Sequence, residues 1–345
     1  MRTPLIGTLF DGPIDVVGDV HGEIGALVSL LDLLGYDGEG NNIEGRRLVF
    51  LGDLGDRGPS SVAVVRLVRR LIKQGKAQAV VGNHELNLLR GDRKRGNHWF
   101  WGETEIMRKD GKALSFQALA DPAFRSAALE FFGSLPLALE RDDLVVVHAA
   151  WHAPSVAALR RRDRHNASGV AKACAVYEKR AARRLARRRA ALSGGALSDD
   201  EVAQEEQNGN PVRVLTSGLE TSTAVPFYAG GRMRTLERFR WWNNYSAPDG
   251  RFIVIGHYWR RWMQEVDSRV PAGFEPSGPD LFTDAAPTAL LGPRRKVFCV
   301  DYAAGVRFEE RALKLPPGAL GTHLAALRLP ERTVHREDGR VFGVS

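Results

Sequence analysis

Six short runs rich in Val, Ile, Leu and Phe constrain this chain more than any other feature: IDVVG at 14–18, RLVFL at 47–51, QAVVG at 78–82, LVVV at 144–147, FIVIG at 252–256 and KVFCV at 296–300. They are continuous rather than alternating, the pattern of strands buried on both faces. Helical patterns lie between the early runs. EIGALVSLLDLLG has apolar residues at helical spacing and ends in Gly35, a residue suited to the left-handed position after a helix. SSVAVVRLVRRLIKQG begins with Ser60 or Ser61 as N-cap and ends at Gly75. Strand and helix in alternation predict an α/β layered domain.

Residues 151–245 break that rhythm. RRRDRH, KRAARRLARRRAALSGG and SDDEVAQEEQNGNP read as a basic helix, a Gly-Gly stop and a short acidic helix capped by Ser198, a mainly helical, basic insertion between two strands. After Gly305 the segments VRFEERALKL and HLAALRLPERTVH alternate and predict antiparallel strands, so that residues 296–345 complete the sheet. No internal repeat or low-complexity linker divides the chain, and 1–345 reads as a single domain.

The formal charge of +8 is concentrated in the insertion. Between Ala157 and Ala190 twelve Lys or Arg face two acids, an excess of ten, which leaves the remainder slightly acidic. Nucleic acid bound through 157–190 is one reading of this run. The preferred reading is a solvated helix neutralised in part by the acidic helix behind it. No apolar run approaches the roughly 20 residues needed to cross a bilayer. The N-terminus lacks a basic segment followed by a long apolar stretch and reads as mature protein entering its first strand. Cys174 and Cys299 form no CxxC and are expected as buried small hydrophobes, consistent with a cytoplasmic setting.

The ends of the apolar runs carry the chemistry. The first is followed by Asp19-Val20-His21-Gly22, the second by Gly52-Asp53 and Asp56-Arg57-Gly58, and the third by Asn83-His84-Glu85; the fourth ends in His148 and the fifth in Gly256-His257. Ligands of α/β sheets collect outside the carboxyl ends of the strands. Asp19 and His21 are two apart, so an extended backbone would point both the same way, toward one cation. Asp53 has two oxygens with which to bridge two cations. Asn83 offers a neutral oxygen, and His148 and His257 offer nitrogens. A carboxylate, amide and imidazole set suits Mn, Fe, Zn or Ni better than Ca. Two such ions about 3.5–4 Å apart clamp a phosphoryl group and acidify a shared water. His84 is placed to protonate a leaving oxygen, Asp56 to orient it, and Arg57 to bind phosphate oxygens as a fork. Glu85 reads as a supporting residue rather than a ligand.

With these motifs in their order, GDVHG, GDLGDRG, GNHE, the His148 strand end and GH at 256–257, the chain resembles the calcineurin-like metallophosphoesterases, and most closely their phosphoprotein-phosphatase branch, which includes bacterial diadenosine-tetraphosphatase-like members. The resemblance spans roughly residues 14–150 and 252–301. It implies a β-sandwich flanked by helices and a binuclear centre of divalent transition metals, Mn first. Asp19, His21 and Asp53 would hold one ion, and Asp53, Asn83, His148 and His257 the other. It also implies His84 as acid, Asp56 as its partner and Arg57 as a phosphate contact. The chain departs from the family in having Ala149-Ala150 after His148, where Gly is usual. A second substrate arginine falls among Arg232, Arg234, Arg260 and Arg261.

The function expected is hydrolysis of phosphomonoesters by metal-bound hydroxide, as in serine/threonine phosphatases. Symmetrical hydrolysis of dinucleoside tetraphosphates is the alternative. A non-catalytic nucleic-acid-binding module using the arginine helix stands behind both, because it leaves the complete ligand set without a purpose.

Overall fold

The computed structural model describes residues 4–104, 117–166, 169–192, 196–229, 232–248, 250–270 and 280–345. Its strands, in chain order, are β1 (Ile6–Thr8), β2 (Ile14–Val17), β3 (Arg47–Phe50), β4 (Ala77–Ala79), β5 (Ala138–Glu140), β6 (Leu144–Val147), β7 (Glu220–Ala229), β8 (Arg232–Arg238), β9 (Phe252–Ile255), β10 (Val297–Cys299), β11 (Ala325–Leu329), β12 (Thr333–Arg336) and β13 (Val341–Gly343). Two sheets form a sandwich. One has the order β1-β5-β6-β9-β10 and the other β13-β12-β11-β2-β3-β4, while β7 and β8 pair as a separate hairpin. All six apolar runs supply strands of these two sheets.

The runs are continuous because each strand feeds two cores. Ile14, Val16, Val49, Leu144, Val146, Phe252 and Val254 pack in the core between the sheets. Their neighbours Val17, Leu48, Phe50, Val145, Val147, Ile253 and Ile255 pack in the larger core that includes Leu27 and Leu30 of the helix Ile24–Leu33 and Val64 and Val68 of the helix Ser61–Lys73. Both helices end as their sequences require, with Gly35 and Gly75 in the left-handed region. Asp15, the one acid inside β2, is buried and held by Arg328 on β11 (2.9 Å) and the Tyr36 hydroxyl (2.9 Å).

The insertion contains the helices Ala153–Asn166, Val170–Ala191, Asp199–Asn208 and Pro211–Ser217, followed by the β7–β8 hairpin. Ser198 accepts from the Glu201 amide, and Glu201 accepts from the Ser198 amide, a reciprocal cap. Gly194 and Gly195, read as the stop between the helices, lie outside the described residues. The basic and acidic helices face each other through Arg184–Glu205 (2.5 Å) and Arg188–Glu201 (2.7 Å). Such exposed pairs are screened by solvent and contribute little.

One expected strand is a helix. Residues 307–312 of VRFEERALKL form a turn and a half of α-helix. A helix puts Arg307 and Glu310 on one side, where both are buried. Glu310 there accepts from the Gly318 and Leu320 amides and the Thr322 hydroxyl, and Arg307 donates to the Thr322 carbonyl. The alternation in the sequence therefore marked polar anchors rather than a strand face. β11 and β12, from HLAALRLPERTVH, are antiparallel.

Candidate active site

Every apolar run named for its polar end brings that end to one rim. β2 leads to Asp19 and His21, β3 to Asp53, Asp56 and Arg57, and β4 to Asn83 and His84 at the start of the helix Asn83–Arg90; β6 leads to His148 and β9 to His257. Asp53 Oδ2 is the centre of the arrangement. It lies 3.4 Å from His148 Nε2, 3.7 Å from His21 Nε2 and 3.9 Å from His84 Nε2. Two tight groups result, His21–Asp53–His84 and Asp53–His148–His257. The Asn83 side-chain oxygen joins the second, 2.8 Å from His257 Nδ1 and 3.1 Å from His148 Nε2. Asp19 lies in neither group; its Oδ2 accepts the His257 amide at 3.1 Å, and its Oδ1 is 3.9 Å from His148 Nδ1.

Unusual backbone makes this convergence possible. His21, Asp53, Asp56, Arg57 and His257 all have positive φ, between 46° and 71°. Each such non-glycine residue costs on the order of 1–3 kcal/mol, and strain of this kind concentrates at functional sites. The expectation that Asp19 and His21 share an extended segment is corrected here. His21 sits in a tight turn interlocked with the 52–58 turn: its amide donates to the Asp53 carbonyl (2.8 Å), and its carbonyl accepts from Gly58 (2.9 Å). Close approach also demands Gly82. A Cβ there would stand 2.1 Å from Asp53 Oδ1 and 2.5 Å from the Asp53 amide nitrogen. Gly82→Ala is expected to cost about 1–3 kcal/mol or more, as overpacking against backbone does, and to lower the urea midpoint of unfolding. An unchanged midpoint would show that the 52–53 turn yields freely.

Supporting contacts fix the acid–base groups. His84 Nδ1 is 2.5 Å from Asp56 Oδ2, so its Nε2 faces the cluster. Arg57 reaches the same point, with Nη2 3.1 Å from His84 Nε2 and Nη1 3.2 Å from His21 Nε2. Its guanidinium lies over the Trp259 ring, 4.9 Å from the centroid. Glu85 has its carboxylate filled by the amides of Asp53, Leu54 and Gly82. His148 Nδ1 is 2.7 Å from the Leu51 carbonyl, which turns Nε2 toward Asp53 and Asn83.

The electrostatics call for positive charge. Burial, reinforced by the Asp301 charge, pushes the Asp19 carboxyl well above its usual range. Burial acts the same way on Asp53, but the His148 and His84 imidazoles outweigh it and hold that carboxyl well below. Burial alone would depress His148; Asp53 and Asp19 override it and draw the imidazole up to about 10. His21 and His257 are lowered, by burial first and then by Arg57 and Arg238 respectively. Asp19 Oδ1 is buried and has no hydrogen-bond partner among the described residues. A buried carboxylate oxygen without a donor is costly, and a cation satisfies it. The residues therefore fit the divalent ions that the motifs imply, and the mixture of carboxylate, amide and imidazole fits transition metals rather than Ca.

The further arginine candidates separate. Arg260 is corrected: its buried guanidinium donates to the carbonyls of Cys299 (3.5 Å), Ala286 and Ala289 (2.8 Å), and it lies over the Phe282 and Phe298 rings, so it serves packing. Arg261 is half-buried, with Glu309 its strongest charged neighbour. Arg234 lies on β8 opposite Phe227, and the Arg232 side chain is outside the described residues. Three further groups escaped sequence reading. Asp301 ends β10 and is pushed up by burial to about 6; it obeys the strand-end rule applied to the other five runs. Gly305 abuts the site so closely that a Cβ would meet His21 Cδ2 at 2.3 Å. The Trp99 indole donates to Asp56 Oδ1 at 2.7 Å, a contact across 43 positions that no local pattern announces.

Comparison with known proteins finds similarity in sequence and in fold. Residues 12–179 match the family model of calcineurin-like phosphoesterases. The asymmetrical bis(5'-nucleosyl)-tetraphosphatase PrpE of Halalkalibacterium halodurans is 35% identical over 143 residues, covering 39% of this chain and 56% of that protein. The symmetrical bis(5'-nucleosyl)-tetraphosphatase of Methylococcus capsulatus is 33% identical over 150 residues, covering 42% of this chain and 47% of that protein. The chain thus spans about half the length of the curated relatives it matches. Among solved structures, the cold-active protein-tyrosine phosphatase of a psychrophilic Shewanella sp. aligns over 100% of this chain and 83% of its own, with a TM-score of 0.51 and 16% identity, a likeness of fold. Residues 12–179, the stretch similar to that family, carry every candidate site residue from Asp19 to His148.

Proposed function

We propose that the chain is a metal-dependent hydrolase of phosphoric esters, and that phosphomonoesters with poor leaving groups, such as phosphoserine or phosphothreonine in proteins, are its first substrate class. The observation that carries this reading is the Asp56–His84 pair, 2.5 Å apart, aimed at the Asp53 cluster. An alkoxide leaving group needs a proton as the P–O bond breaks, and a positioned imidazole supplies roughly 10²–10⁴-fold toward that step. His84 would give its Nε2 proton to the leaving oxygen while Asp56 fixes Nδ1. Arg57 would bind two phosphoryl oxygens, steadied by the face of Trp259. Asp19, His21 and Asp53 would hold one divalent ion, and Asp53, Asn83, His148 and His257 the second. When bound, such ions supply positive charge to the phosphoryl oxygens and make water more acidic.

A second reading, hydrolysis of dinucleoside tetraphosphates, is favoured by the names of the curated relatives. Its leaving group is a phosphate that departs without help from an acid, so it leaves the Asp56–His84 pair less work. Purified protein with Mn, assayed on phosphoserine and phosphothreonine peptides and on diadenosine tetraphosphate, separates the two. Release of phosphate from the peptides is expected. Turnover of the dinucleotide alone overturns the first reading, and its products then distinguish symmetrical from asymmetrical cleavage. Turnover of nothing overturns both.

A further inference from the structure

We propose that Trp99 is a positioning residue for the proton donor, acting through Asp56. The proposal rests on the reading of His84 as the group that protonates the leaving oxygen. Trp99 lies in a short 3-10 turn, His98–Trp101, and is fully buried. Its indole Nε1–H donates to Asp56 Oδ1 at 2.7 Å, and the other oxygen of the same carboxylate holds His84 Nδ1 at 2.5 Å. The three side chains form one unbroken line from the helical layer to the cluster. A buried indole needs some acceptor, and a backbone carbonyl would satisfy it. Here the acceptor is the carboxylate that holds Nδ1 of the proposed acid.

The line has consequences for geometry. Asp56 stands on a left-handed residue (φ 71°) in a turn, with its amide donated to Ser61 Oγ at 2.9 Å. Its backbone is therefore held in that turn, and the remaining freedom is rotation of the side chain about its two torsions. The indole restricts that freedom, because the plane of the carboxylate must present one oxygen to Trp99 and the other to His84. Trp99 is itself clamped, edge-on to Phe100 (5.6 Å between centroids), tilted on Phe124 (6.2 Å) and against Gly55, where a Cβ would meet Trp99 Cζ2 at 3.0 Å. In the reaction water adds its oxygen to phosphorus, the P–O bond to the alcohol breaks, and the His84 Nε2 proton goes to the departing oxygen, giving phosphate and alcohol. Asp56 held in register keeps Nε2 aimed at that oxygen.

The test is a leaving-group comparison. Trp99→Phe is expected to leave kcat on p-nitrophenyl phosphate, whose leaving group needs no proton, essentially unchanged. On an alkyl ester such as phosphoserine it is expected to lower kcat about 10–100-fold, the scale at which supporting partners of a site residue act. Asp56→Asn is the benchmark and should lower kcat on both esters, the more so on the alkyl ester, with metal content unchanged in both variants. Should Trp99→Phe fail to fold, Trp99→3-benzothienylalanine removes the N–H donor and keeps the ring shape. An equal fall on both esters, or none on either, overturns the role of Trp99. Wild-type protein that hydrolyses neither ester removes the phosphomonoester reading and this role with it.

Discussion

Asp53→Asn is expected to lower kcat/KM by at least about 10³-fold, at the upper end of what loss of one preorganised electrostatic group costs, and to leave the protein short of both ions. The substitution isolates charge. Asparagine tolerates the left-handed backbone at position 53, where φ is 47°. Its side-chain oxygen can still accept the His84 amide that Asp53 Oδ1 accepts at 2.9 Å. What disappears is the negative oxygen that faces His21, His84 and His148 at once. Elemental analysis beside steady-state kinetics checks the expectation. A fully active Asp53→Asn protein carrying its normal metal would refute the site as assembled here.

His84→Asn comes next in size, with an expected fall of roughly 10²–10⁴ in kcat and no loss of metal. The metal measurement gives this variant its force, because His84 Nε2 also lies in the His21–Asp53–His84 group. An acid and a ligand predict different results. If His84 donates protons, metal stays and turnover falls most on esters with poor leaving groups. If metal falls in proportion to turnover, His84 is a ligand and the proton must come from elsewhere. The 2.5 Å contact between its Nδ1 and Asp56 serves either role, because a carboxylate on one ring nitrogen turns the other toward the cluster, so the metal measurement decides.

Much of this site was legible because two simple rules coincide. Strands sandwiched between layers must be apolar on both faces, so the runs around Val16, Val49, Val146 and Val254 stand out against the rest of the chain. Residues that do chemistry sit where such strands stop. Applying the second rule to KVFCV as well would have found Asp301. Other features depend on partners far away in sequence. Nothing in HYWRRW tells that Arg260 turns inward to the carbonyls of Ala286 and Ala289 while Arg261 stays near the surface. The left-handed turn at His21 is set by its hydrogen bonds to residues 53 and 58. The two ends of VRFEERALKL alternate as a strand would, yet the amides that Glu310 accepts, at 318 and 320, decide for a helix over residues 307–312.

The position of β9 in the chain has a bearing on biosynthesis. Asp19 through His148 all lie within the family-matched stretch, but His257 follows a strand that is made only after the whole insertion and that docks beside β6. A growing polypeptide that has emerged as far as residue 179 holds most of the cluster and none of its last imidazole. On the proposed reading, the machinery for cutting phosphate esters stays inert on the ribosome until β9 and His257 arrive to close it.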